Sequence, residues 1–115
     1  MLIELKVDKT NIILKNHIYR DLIKEDFPII FKINFSKDWD NLNKYISFSS
    51  NSLNYTKKLL ISQEEISVPE DFLIYPGFAV HFFGEKEEES KVIYRITTTF
   101  ITYNIKGENL KWIIK

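Results

Sequence analysis

The first residues of the chain alternate. Ile3, Leu5 and Val7 share one parity and Glu4 and Lys6 the other, the period-two pattern of a strand buried on one face. "DKTN" supplies a turn and "IILKN" a second short strand. The clearest strand is "IIFKINF", where Ile29, Phe31, Ile33 and Phe35 alternate with Ile30, Lys32 and Asn34. "KYISFSS" follows with Ile46 and Phe48 on its inner face, then a turn at "NSLN" and a strand at "YTKKLLIS". "FAVHFFG" places Phe78, Val80 and Phe82 on one side. "KVIYRITTTFITYNI" exceeds ordinary strand length and predicts a bend or bulge near Thr97 to Thr99. "KGEN" turns the chain and "LKWIIK" closes it as a last strand.

Between these strands lie two less regular stretches. In "HIYRDLIKEDFP", Ile18, Leu22 and Phe27 fit neither period, so it reads as an irregular connection with room for one helical turn; Pro28 biases Phe27 toward an extended backbone. "ISVPEDFL" reads as a short strand entering a helical turn, with Pro69 at its first position and Glu70 and Asp71 where the helix dipole favours acids. "YPG" marks a tight turn, and "EKEEES" a charged hairpin tip that discourages foreign edge pairing. Strands recur at intervals of about ten residues with turn signals between them, and long amphipathic helices are missing. The pattern predicts an all-β fold: an antiparallel sandwich, immunoglobulin-like or jelly-roll-like, forming one domain over residues 1–115, with a short helical turn near 69–74.

One aromatic stands apart. "FKINFSKDWDNLNKYISFSS" carries Trp39 between Asp38 and Asp40, in a polar gap between two strands. Two roles fit that position: an exposed recognition residue, or a plug closing the open end of a sheet.

Composition narrows the class. A chain of 115 residues suffices for one domain and a core without disulfide or metal support. Hydrophobic residues at 44% and charged residues at 28% fall in the globular range, and nine Phe, six Tyr and two Trp favour pleated structure. Lys plus Arg equals Asp plus Glu at 16 each, so the positive excess of a typical nucleic-acid binder is missing. Without Cys there is no disulfide framework, thiolate metal site or cysteine nucleophile. "MLIELKVDKT" lacks the apolar run of a signal peptide or membrane span, so the matches "NFS" at Asn34 and "NYT" at Asn54 read as chance.

No catalytic, cofactor or metal residues are predicted. His17 and His81 are the only histidines, and a metal site needs more ligands at suitable spacing. A triad depends on geometry rather than order, yet there is no G-x-S-x-G elbow, no P-loop and no G-x-G-x-x-G. The paired carboxylates Asp38/Asp40, Glu64/Glu65, Glu70/Asp71 and Glu87 to Glu89 all fall in expected turns, where acids stay solvated. "YTKK" and "NLKWIIK" interleave aromatics with Lys, as single-strand binders do, but their rings fall mostly on apolar faces and are expected in the core.

An ordered series of residues resembles small β-sandwich proteins of tailed bacteriophages and prophages, from the baseplate and tail-fibre region. The series is Phe35; Trp39, Asp40 and Leu42; Phe48; Ile66, Val68 and Pro69; Asp71 and Leu73; Gly84; then Ile96, Thr97 and Thr98, within Phe31 to Ile105. The resemblance implies a non-enzymatic virion structural or assembly protein, adaptor-like, with Trp39 as the plug. It implies other phage structural proteins as partners, a homo-oligomer, and a place in the virion after assembly in the host cytoplasm, with no nucleic acid, membrane or cofactor. Larger relatives carry such a module as an N-terminal adaptor; here it is expected to stand alone. Two alternatives remain: a small phage-encoded inhibitor of a host defence complex, and a carbohydrate-binding module using Trp39 or Trp112.

Overall fold

A computed structural model describes residues 1–50 and 56–106. The expected turn at 51–54, the turn after Lys106 and the strand at 110–115, with Trp112, lie outside the described residues. Ten strands occupy the rest: β1 (Leu2–Asp8), β2 (Asn11–Leu14), β3 (Asp21–Ile23), β4 (Ile30–Phe35), β5 (Asn43–Ser50), β6 (Thr56–Ile61), β7 (Glu65–Ser67), β8 (Gly77–Glu88), β9 (Lys91–Thr97) and β10 (Ile101–Lys106). They form two sheets, β2-β1-β4-β7 and β3-β10-β8-β5-β6, with β9 on the β10 side of β8.

The sheets pack as a sandwich because each contributes one apolar parity. Ile3, Leu5, Val7, Phe31 and Ile33 from the smaller sheet meet Ile46, Phe48, Phe78, Val80, Phe82, Tyr103 and Ile105 from the larger, all buried. The interior is aromatic: Phe31 lies 6.4 Å from Phe48 and 5.8 Å from Tyr103 between ring centroids, and Phe78 lies 5.5 Å from Tyr103. Burial pushes the Tyr103 phenol up to about 12, against a smaller opposing effect of Arg20, and its hydroxyl finds no partner among the described residues.

Most neighbouring strands are antiparallel, but each sheet contains one parallel pair, β1 with β4 and β3 with β10. The chain leaves the small sheet after β2, lends β3 to the edge of the large one, and returns as β4. β3 corrects the expectation of an irregular connection there. It has three residues and one buried side chain, Leu22, so it carries no readable period. It forms through distant partners: Asn104 N–H donates to the Arg20 carbonyl at 2.8 Å, and Asn104 Nδ2 to Asp21 Oδ1 at 3.1 Å. A 3₁₀ turn at Lys24–Asp26 follows, and Phe27 is extended before Pro28. The helical turn expected near 69–74 is a 3₁₀ turn at Glu70–Ile74, with Pro69 just before it.

The long run from Lys91 divides where a bulge was expected. β9 and β10 follow one edge of β8, and the pairing slips by one residue between Phe83↔Thr97 and Val80↔Ile101. Thr98 holds the slip: its Oγ1 accepts from Phe82 N–H at 3.0 Å and donates to the Thr99 carbonyl at 2.8 Å, while Thr98 N–H donates to the Phe82 carbonyl at 2.9 Å. The hydroxyl thus replaces a missing ladder acceptor. Thr98→Val leaves the buried Phe82 amide unpaired and is expected to cost about 1–2 kcal/mol in urea unfolding, while Thr98→Ser stays near wild type.

The acidic tip is shorter than expected. β8 does not end at Gly84 but continues to Glu88, so Glu87 and Glu88 lie in a strand and the turn is Glu89–Ser90. Strand pairing with β9 carries the chain past Gly84, whose lack of a side chain serves packing rather than termination.

Candidate interaction surfaces

Trp39 ends a 3₁₀ turn, Lys37–Trp39, that turns the chain inward between β4 and β5. It is completely buried. Its ring lies 5.0 Å from that of Phe35, and its Nε1–H donates to the Lys9 carbonyl at 2.8 Å. The indole therefore joins the β1–β2 turn, which Lys9 enters with a positive φ of 55°, to the far sheet. Asp38 and Asp40 stay exposed; Asp38 accepts from the Ser36 hydroxyl, and Ser36 Oγ accepts from Lys9 N–H. The polar flanks hold the turn's start while the ring enters the core. A buried Trp39 offers no face to a sugar.

The other residues of the series divide by depth. Phe48, Val68, Gly84 and Thr98 are buried, Phe35, Leu42, Ile66, Pro69 and Ile96 half-buried, and Asp40, Asp71 and Thr97 exposed. Leu73 falls in the turn at Glu70–Ile74. Trp39, Phe35, Leu42 and Gly84 meet at one end: a Cβ on Gly84 would lie 2.9 Å from Trp39 Cε3 and 3.1 Å from Leu42 Cδ1. Val68 belongs to a separate part of the core near Ile29, whose carbonyl accepts from Val68 N–H at 2.8 Å. The paired carboxylates are solvent-exposed, and Asp71 lies 3.6 Å from Lys57 Nζ.

A surface feature that the alternation left unassigned lies on the outer face of the large sheet. Tyr45 on β5 stacks on its cross-strand partner Phe83, with centroids 4.8 Å apart and planes at 13°. His81, two residues along β8, lies 5.9 Å from Phe83 and 4.5 Å from Phe100, which the bulge at 98–100 turns outward to 61% exposure. Leu60, opposite Tyr45 on β6, extends the row and is 58% exposed. Lys58 Nζ and Arg95 Cζ lie 5.7 and 5.8 Å from the Phe83 ring centroid, and the Arg95 guanidinium also pairs with Glu85, with Nε donating to Oε2 at 2.8 Å. Tyr45 and Phe83 stack on each other, so each covers one ring face of its partner. Such a row suits apolar contact with a protein better than base or sugar stacking.

His81 has a buried Nδ1 without a partner among the described residues. Burial, and then the Lys58 ammonium, hold its imidazole below the ordinary value of 6.5. That cation weakens the ring as a general base. The depressed value also sets a sign for stability. The unfolded chain takes the proton more readily, so the contribution of neutral His81 is full above about pH 6.5 and is lost as pH falls through the lower folded value. Thermal melts should show stability falling as pH drops below about 6.5, by less in His81→Gln, and a ¹H–¹⁵N titration should place the His81 transition higher in Lys58→Met.

No helix among the described residues is long and apolar enough to cross a membrane, and no group of three or more His, Cys, Asp or Glu among them is placed to hold a metal ion. No protein-family model and no curated protein sequence matches the chain. Among solved structures, the chain is similar to the N-terminal domain of phage TP901-1 ORF48, with a TM-score of 0.60 and 13% identity, over 92% of this chain and 98% of that one. At that identity the likeness establishes a shared fold.

Proposed function

We propose that this protein is a bacteriophage particle component that acts through protein–protein contacts rather than catalysis, as an adaptor-like subunit of the baseplate or tail-fibre region. The observation that carries the reading is the end-to-end fold likeness to the N-terminal domain of phage TP901-1 ORF48, which spans 98% of that domain. The ordered series from Phe35 to Thr98, read in the sequence, agrees with it. The row from Leu60 to Phe100 adds a suitable contact surface, apolar at its centre and flanked by cations. Its partners are other structural proteins of the particle and further copies of itself. Mass spectrometry of gradient-purified particles tests the reading. The chain should band with the particles at a fixed ratio to known tail proteins. Its absence from particles, with recovery on a host complex instead, overturns the reading and leaves the inhibitor role.

A further inference from the structure

The chain is neutral overall, but its charge is unevenly spread. Pairing between β5 and β8 ends at Asn43↔Glu85, so β8 beyond that point is bonded to β9 alone. Residues 86–94 thus form a two-stranded arm, turned at Glu89 and Ser90, whose φ values of 51° and 66° suit a tight hairpin. Glu87, Glu88 and Glu89 are exposed near its tip; with Lys86 and Lys91 also exposed, the three acids against two lysines leave the arm one negative charge, concentrated at the turn. Val92, Ile93 and Tyr94 follow one another at 46, 52 and 49% exposure, so both faces of the arm present apolar surface to water.

A cleft of about 1040 Å³ opens along the outer side of β1 and β4 and the turn at Lys37. That volume stands at the top of the range for small-molecule clefts and admits several side chains at once. Five lysines line it, Lys6, Lys32 and Lys37 among them, against three carboxylates. Among the described residues none of the five forms an ion pair, although Lys44 Nζ donates to the Leu42 carbonyl at 3.3 Å and lies 5.7 Å from the Phe35 ring centroid. The cleft reaches the end from which the arm rises: Lys44, in its lining, is the cross-strand partner of Gly84.

We propose that the acidic arm of one copy seats in the lysine-lined cleft of a second copy, and the second arm in the first cleft, giving a two-fold dimer. Opposite charges meet at both contacts, and the apolar residues of each arm are covered. A reciprocal contact of this kind is two-fold and closes at two copies. The inference rests on the reading that the chain works by protein contacts, and particle association tests that reading separately.

Light scattering after size exclusion tests the pairing. The wild-type chain should run at twice the monomer mass at high micromolar concentration, and at the monomer mass in about 1 M NaCl, where charges are screened within ~3 Å. Glu87→Lys/Glu88→Lys/Glu89→Lys and Lys6→Glu/Lys32→Glu/Lys37→Glu should each be monomeric with unchanged circular dichroism. Mixed in equal amounts, they should form a heterodimer, because both contacts regain opposite charge. If the cleft variant fails to fold, the arm variant alone decides, since its substitutions lie on an exposed ribbon. A wild-type monomer, or a dimer that persists in the arm variant, overturns the proposal; a monomer that still bands with particles overturns it alone.

Discussion

Trp39→Ala should lower the stability of the domain by about 3–5 kcal/mol, a fall in Tm of roughly 10–20 °C for a chain of this size. The side chain is wholly buried, and its removal leaves a cavity bordered by Phe35, Leu42 and Gly84. Little can collapse into that space, because Phe35 is also held against Phe82 at 5.8 Å and Gly84 has no side chain to advance. The substitution also removes the bond from Nε1 to the Lys9 carbonyl. Lys9 is exposed, so its carbonyl can turn to water, and this part of the loss is about 1 kcal/mol. Trp39→Phe, which keeps much of the volume and loses the bond, should fall between. Urea unfolding of the three proteins with a common m-value checks the order; a Trp39→Ala midpoint within error of wild type would mean that the indole does not plug the core.

Period two showed which residues of β1, β4, β5 and β8 face inward, because one sheet face is dry and the parity of Ile, Val and Phe records it. Parity does not record which strand lies beside which. The parallel pairs β1–β4 and β3–β10 depend on where the chain crosses between sheets, and β3 takes its form from Asn104, 83 positions from Asp21. The plug was half legible. A tryptophan in a polar gap is conspicuous, but the atoms that decide its role, the Lys9 carbonyl and the bare Cα of Gly84, are 30 and 45 positions away. The outer row was the least legible. His81 and Phe83 stand on a strand whose other parity is also aromatic, so apolar character alone does not separate core from surface. Tyr45 and Phe100 join them only through the β5–β8 register and the one-residue slip at 98–100. The expected inner set of Phe78, Val80 and Phe82 is buried, whereas Phe100 is 61% exposed; the rings of "YTKK" and "NLKWIIK", Tyr55 and Trp112, lie outside the described residues.

Gly84→Ala should destabilise the wild type by about 1–3 kcal/mol, yet be neutral or stabilising in a Trp39→Ala background. The added methyl would sit 2.9 Å from Trp39 Cε3, 3.0 Å from Cζ3 and 3.1 Å from Leu42 Cδ1, inside ordinary contact distance for all three. The indole has no easy retreat, with Phe35 against it and its Nε1 tied to Lys9. Backbone conformation is not the obstacle, since Gly84 is a strand residue paired with Lys44 and Ile96 on either side. An alanine there lowers the entropy of the unfolded chain, a gain of about 0.5–1 kcal/mol that the clash outweighs only while the indole is present. Removing the indole removes the two shortest contacts and leaves room for Leu42 Cδ1, the end of a flexible side chain, to give way, so the cost of the double variant should fall short of the sum of the two single costs by about 1–3 kcal/mol. Urea unfolding of the four proteins measures that difference. Strict additivity would mean that Gly84 does not lie beneath Trp39, and the packing that joins β8 to the turn before β5 would have to be redrawn.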